Sequence, residues 1–433
     1  MKANIGLRKK IIYSVFVRNH TKEGTFKALI PDLERIRNLG TDILWLMPIH
    51  PIGEAKRKGT LGSPYAIRDY RAVNPEYGTL EDFKELVDAV HRCGMKCIID
   101  VVYNHTSPDS VLLKEHPEFF YRKADGSFGN HVGDWSDVVD LDYTDEGLWD
   151  YQIETLKYWA GMVDGFRCDV ASFVPVEFWK KAREAVEAVR PGAIWLAESV
   201  HLSFGEECRH QGMVCAKDSE LFQAFDMEYE YDIREAFERH LKGETSLSHW
   251  LDLLNFQEFA YPEHYNKLRF FENHDVPRFA SFRKSQADLL NYTAMLYFLK
   301  GTTLIYAGQE LAAEHRPDLF EKDPIDWENG MDLSRYMLRL SEIKKAYLDS
   351  SDAFYAAGDD ELDIAVLRRS DGHVDKFGIF SLSGKTGEVP VDAPDGFYAD
   401  LLFGGQLEIK DGKYRCDGHP VIFTFRNVKK EQI

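Results

Sequence analysis

Cysteine is scarce in this chain: Cys93, Cys97, Cys168, Cys208, Cys215 and Cys416 are the only six in 433 residues, with no paired CxxC arrangement. That excludes a disulfide scaffold and a finger-type zinc site, and it makes buried, reduced thiols the expected role. Long apolar runs are missing as well. No stretch approaches the roughly 20 apolar residues of a membrane-spanning helix. The opening MKANIGLRKKIIYSVFVRNH holds only a broken apolar segment, too short for a signal h-region. These absences predict a cytoplasmic protein without a membrane partner. Positive charge is in deficit, with 53 Lys and Arg against 72 Asp and Glu and a net charge of −19. No basic stripe is left to neutralise phosphates, so nucleic acid is not expected as a partner.

What is present is an alternation. At 433 residues the chain exceeds what one hydrophobic core usually supports. Short runs rich in β-branched residues alternate with amphipathic stretches, which is the pattern of repeated βα units. Strands are predicted near 11–17, 42–47, 96–102, 163–169, 193–198, 222–227, 268–273 and 302–306. Helical patterns lie at 26–39, 81–94, 146–161, 176–190 and 286–300. The second of these opens on a Thr79/Asp82 capping pair and closes at Gly94. Eight strands, each followed by a helix, fit a closed (β/α)8 TIM barrel better than an open doubly wound sheet. After the third strand, residues 106–143 carry Pro, Gly, Asp and Ser without helical period. A connection of that length is ordinarily functional, and it predicts a small lid subdomain over the barrel mouth. Beyond the helix around 335–348, the short alternating segments LDIAVLRR, KFGIFSL and PVIFTFR predict a C-terminal β-sandwich at 349–433. The barrel is then 1–105 and 144–348.

Reactive side chains of such a barrel sit where strands end. Four predicted strands end in polar residues: Asp100 to His105 on the third, Arg167 and Asp169 on the fourth, Glu198 on the fifth, and Asn273-His274-Asp275 on the seventh. One ionisable strand end is ordinarily a cap or a loop ion pair; four charge-rich ends together ask for another explanation. Retaining hydrolysis of a glycoside needs two carboxyl groups close together, one nucleophile and one proton donor. Asp169 and Glu198 stand about one βα unit apart, which puts them on adjacent strands of one rim. Arg167, two residues before Asp169, points the same way along the strand and favours an ionised nucleophile.

These segments resemble glycoside hydrolase family 13, the α-amylase family. The motifs DVVYNHT (100–106), GFRCDVAS (165–172), WLAES (195–199) and FFENHD (270–275) stand in the family's order, and the resemblance runs over residues 11–310. It implies Asp169 as nucleophile, Glu198 as general acid then base, and Asp275 as the carboxylate that steadies the distorted sugar through its hydroxyls. It also implies a substrate-binding set of Tyr65, His105, Arg167, His274 and Asp100, with Asp100 holding Arg167. A structural calcium site at Asn104 and Asp140 belongs to the same resemblance, while the chemistry itself requires no cofactor.

Departures accompany the matches. Ser172-Phe173 stand where many members have a Lys-His pair on the leaving-group side, and Ala66 replaces an acidic residue after Tyr65. The function implied is hydrolysis of α-linked gluco-oligosaccharides of maltodextrin type by double displacement. The same residues would serve glycosyl transfer to a second sugar. A non-catalytic amylase-like subunit would lack the three carboxylates present here. A small soluble oligosaccharide is the expected partner, and neither linkage preference nor oligomeric state is legible.

Overall fold

The computed structural model describes residues 4–427. Eight parallel strands close into a barrel: β1 Ile11–Val15, β2 Ile43–Leu46, β3 Lys96–Val101, β6 Gly165–Cys168, β7 Ile194–Ala197, β8 Met227–Tyr229, β9 Lys267–Arg269 and β10 Thr302–Tyr306. Each strand pairs with the next of these in sequence, and β10 returns to β1. Burial is continuous along β1, β2, β6, β7 and β10, as expected of parallel strands covered on both faces. Helix Leu80–Arg92 starts at the expected capping box: Thr79 N–H donates to Asp82 and Asp82 N–H returns to Thr79 Oγ1. The predicted 26–39 helix is broken at Pro31 into Phe26–Leu29, a 3-10 turn Ile30–Asp32, and Leu33–Asn38.

The sixth strand is displaced from its expected place. Residues 218–221 are helical and the strand is Met227–Tyr229, while the seventh is Lys267–Arg269 instead of 268–273. The apolar run at Leu221, Phe222 and Phe225 is buried from a helix and the turn that follows it. The strands themselves carry Glu228 and Lys267, buried opposite one another in the ladder. A charged strand reads as a loop until its neighbour supplies the counter-charge. Three helices, Leu202–His210, Tyr231–Leu241 and Leu247–Ala260, were not anticipated.

Between β3 and β6 the chain forms a lid containing a two-stranded antiparallel sheet, β4 His105–Thr106 and β5 Val139–Asp140. After helix Ser334–Tyr347 come two antiparallel four-stranded sheets. The first is β11 Ala353–Asp359, β12 Ile364–Ser370, β13 Val374–Ser381 and β18 Val421–Arg426. The second is β14 Gly387–Pro390, β17 Lys413–Cys416, β16 Gln406–Lys410 and β15 Gly396–Ala399. Alternation along β12 decides the packing. Ala365 and Leu367 join the barrel's core, whereas Ile364 joins Phe377, Val389, Ile409 and Tyr414 in a separate core between the sheets.

The strand register positions the rim. Asp100 of β3 lies opposite Arg167 of β6, and Arg167 lies opposite Leu196 of β7. Asp169 N–H donates to Val101 O and Glu198 N–H to Cys168 O, both at 2.9 Å, so each acid stands one residue past the end of its strand. Close approach of β6 and β7 depends on Gly165, where a Cβ would fall 2.1 Å from Ile194 O.

Candidate active site

Asp169, Glu198 and Asp275 line one cavity of about 340 Å3 at the barrel mouth, together with Tyr65, His105 and His274. Asp100 and Arg167 do not line it. Both are fully buried one layer behind. Arg167 Nη1 donates to Asp100 Oδ1 at 2.9 Å and to Asp169 Oδ1 at 2.8 Å. Its Nη2 lies 2.8 Å from Glu198 Oε2, an ion contact without hydrogen-bond alignment. One rigid guanidinium fork therefore holds both acids to the same small space. The face of the fork is covered by Trp45, Tyr65 and Tyr229 at 5.2, 5.7 and 5.5 Å.

Val170 adds a second tether. Its N–H donates to Glu198 Oε2 at 2.8 Å, and the residue adopts φ 34° and ψ 47°. A β-branched side chain in the left-handed region is strained, and such strain persists where surrounding contacts over-determine it. Here the strained peptide aims a donor at one oxygen of Glu198. Burial pushes the Glu198 carboxyl well above its ordinary range. Arg167 pulls the other way, and the neighbouring Asp169 and Asp275 add to the rise.

Asp275 is positioned by an Asx turn. Asn273 Oδ1 accepts from the backbone N–H of Asp275 at 2.8 Å and of Val276 at 3.0 Å. Its carboxylate lies 3.1 Å from His274 Nε2 and its side chain is 43% exposed, open to the cavity. Burial lowers the His274 pKa to about 4, so the ring is neutral near pH 7. Tyr65 stacks on that ring at 5.4 Å and 13°. The Tyr65 hydroxyl donates to Asp100 Oδ2 at 3.2 Å and is 2.7 Å from His274 Nε2. His105 faces Trp135 of the lid, with ring centroids 5.4 Å apart.

Asn104 and Asp140 do not build a calcium site. Asp140 Oδ2 accepts from the backbone N–H of His131 and lies 2.7 Å from its Nδ1, while Asn104 Nδ2 turns to His105 Nδ1. Asp140 Oδ1 is buried without a partner, so that oxygen and Asn104 Oδ1 are what the two side chains could offer a cation. Calcium takes six to eight oxygens. Among the described residues no group of three or more His, Cys, Asp or Glu is placed to share a metal. The two side chains do not by themselves make up that shell.

Several lining residues were not anticipated: Lys58, Trp135, Asp137, Val200, His201, Phe204, Tyr231, Leu319 and Phe320. Trp135, Phe173, Phe204 and Val200 share a small apolar cluster beside the cavity. They come from the lid, from the segments after β6 and β7, and from the helix Leu202–His210 that was not anticipated.

The family model for the alpha amylase catalytic domain matches residues 12–122 and 131–347, and that for the bacterial alpha amylase C-terminal domain matches 356–423. The chain belongs to the alpha-amylase family. Among solved structures, an alpha-amylase from Lactobacillus plantarum is 47% identical, covers 98% of this chain and 100% of its own, and superposes with a TM-score of 0.93. A noncanonic maltogenic alpha-amylase, AmyB from Thermotoga neapolitana, is 32% identical over 97% of this chain and 99% of its own, with a TM-score of 0.86. Alpha-amylase 3 of Dictyoglomus thermophilum is 24% identical over 363 residues, which is 75% of this chain and 68% of that protein. An alpha-1,4-glucan:maltose-1-phosphate maltosyltransferase of Myxococcus xanthus is 32% identical over 212 residues, 43% of this chain and 32% of its own length. Among the described residues no helix is long and apolar enough to cross a membrane.

Proposed function

We propose that this alpha-amylase-family member is a retaining α-glucoside hydrolase acting on α-linked gluco-oligosaccharides of maltodextrin type. The observation that carries the reading is the single Arg167 fork bound to Asp169 and touching Glu198, with both acids and Asp275 on one cavity. In the first step an Asp169 oxygen attacks the anomeric carbon while Glu198 gives its proton to the glycosidic oxygen. The carbon–oxygen bond breaks, the leaving sugar departs as an alcohol, and a glycosyl ester of Asp169 remains. In the second step the Glu198 carboxylate takes a proton from water, whose oxygen attacks the same carbon and frees Asp169. Two inversions give net retention.

The surroundings suit these roles. Val170 and Arg167 occupy Glu198 Oε2, which leaves Oε1 to carry the proton. A carboxyl raised by burial stays protonated where an ordinary one would ionise, as a proton donor must. Asp275, open to the cavity, accepts from ring hydroxyls as positive charge develops. Tyr65, His105 and His274 hold the reacting sugar, and Asp100 fixes Arg167. No step uses a cofactor. All six cysteines are unpaired, which supports the cytoplasm as the working compartment.

Proton NMR of the products of a maltodextrin digest tests the reading: the α-anomer is expected first, with β appearing only by later mutarotation. Initial β-product would overturn it. A second reading, transfer of the glycosyl unit to another sugar, is favoured by the similarity to maltosyltransferases. It predicts that maltotetraose is converted to longer oligomers with little release of reducing ends.

A further inference from the structure

Val200, His201 and Phe204, from the segment following Glu198, line the cavity, as do Lys58, Ser63, Leu319, Phe320 and Asp137. Lys58 and Ser63 share their loop with Tyr65, and Arg316, in the loop that carries Leu319 and Phe320, donates to Asp275 O. These loops therefore belong with Tyr65 and Asp275, the residues proposed to hold the retained sugar. Three separate segments are tied together there.

Lys58, from the loop after β2, reaches the lid: its Nζ is 3.0 Å from Asp137 Oδ1 and donates to Asp134 O at 3.1 Å. The same loop is joined to the loop after β10. Leu61 N–H donates to Phe320 O at 2.9 Å and Thr60 N–H to Glu321 Oε1 at 2.7 Å. Gly59 lies so close that a Cβ there would be 2.5 Å from Phe320 Cβ. Behind both loops Arg18, fully buried, donates to Gly62 O and Leu319 O at 3.0 Å each and pairs with Glu76. The lid and the two loops form one hydrogen-bonded wall, and Lys58 with Asp137 is its seam.

We infer that this wall limits the retained side to a short run of glucose units, so that chains are cut near their non-reducing ends, with the Lys58–Asp137 pair closing the passage. The inference rests on the proposed function. Lys58 and Asp137 thereby become specificity-determining residues, acting on product length and not on bond chemistry. Opening the seam leaves the buried Asp137 without its cation, so the exchanged pair, which restores one, separates loss of the seam from loss of stability. The open seam lets the sugar chain run out between lid and loop.

The test uses maltoheptaose labelled at its reducing end, with products separated by chromatography at low conversion. The parent is expected to release one short unlabelled product and leave a long labelled remainder. Lys58→Ala should raise the share of longer unlabelled products several-fold. Exchange of the two residues, Lys58→Asp with Asp137→Lys, should restore the parental pattern, because it rebuilds the pair. Identical product lengths for parent and Lys58→Ala would overturn the inference, as would random internal cleavage by the parent. An exchanged pair that keeps the Lys58→Ala pattern would overturn the ion pair as the closing element. Those failures leave hydrolysis standing, whereas a parent inert on maltoheptaose would overturn the functional reading together with this one.

Discussion

Two buried cations in the barrel each sit among three carboxyl groups, but only one of the groups opens onto the cavity at the mouth. Arg167 holds Asp100, Asp169 and Glu198 at the C-terminal ends of β3, β6 and β7. Lys267 of β9 contacts Asp218, has Asp232 Oδ1 at 3.3 Å and has Glu228 Oε2 of β8 at 3.6 Å. Burial raises the carboxyl of Glu198 and of Glu228 alike. A perturbed acid is therefore no mark of catalysis by itself. What separates the clusters is access and geometry. The planar Arg fork presents two acids that line the cavity, while none of the acids around the point charge of Lys267 lines it. The first cluster is placed to meet a substrate, and the second neutralises charge inside the fold.

Removing the nucleophile should break the first cluster chemically and leave the fold. Asp169→Ala is expected to lower kcat on a maltodextrin by on the order of 10^4-fold or more, since no covalent path remains. Its thermal melt should stay close to the parent's. A variant retaining a tenth of parental activity would move the nucleophile elsewhere.

Glu198→Gln comes next. A loss of about 10^2- to 10^4-fold is expected on a substrate whose leaving group needs a proton, and a far smaller loss in the first step on one that leaves as a stable anion. The pH profile sharpens the assignment. The acid must be protonated, so kcat/KM should fall on the alkaline side as pH rises through the raised Glu198 pKa. An alkaline limb unchanged in the Gln variant, measured with the activated substrate, would assign that limb to another group.

The second cluster should fail in the opposite way. Lys267→Met leaves its carboxyls without the cation, a change that costs about 3–5 kcal/mol for a buried pair. The melt should drop sharply while kcat per folded molecule is preserved. Loss of kcat at unchanged stability would place Lys267 in the chemistry.

The comparison also explains what could be read from the chain alone. Strands β1, β2, β3, β6, β7 and β10 were legible because apolar runs announce them, and Asp169, Glu198 and Asp275 because each interrupts or follows such a run. Strands β8 and β9 were blurred because Glu228 of β8 and Glu230 just past its end face Lys267 and Arg269 of β9, with Glu230 and Arg269 2.6 Å apart. Charge hidden between strands looks like charge in water until the pairing is known. Lys58, Asp137 and Phe320 escaped notice for a related reason. They lie in three loops distant in sequence, and only the closed barrel brings those loops to one end of the cavity.

The smallest expected effect is the most discriminating about the second cluster. Glu228 is fully buried, neither of its oxygens has a well-aligned donor, and burial raises its pKa well above the ordinary value of 4.5, against the pull of Lys267. A group whose folded pKa exceeds its unfolded one contributes stability that is complete below the unfolded value and lost as pH rises through the folded one. Glu228→Gln keeps a neutral side chain of the same shape at every pH. Parent and variant should therefore differ by a constant offset below pH 4.5, with the variant gaining on the parent by a few degrees in thermal melts as pH rises from there. The opposite trend, with the parent gaining as pH rises, would mean that Glu228 is ionised in the fold and that Lys267 outweighs desolvation. In that case the two clusters would differ in how many of their acids carry charge as well as in their access to the cavity.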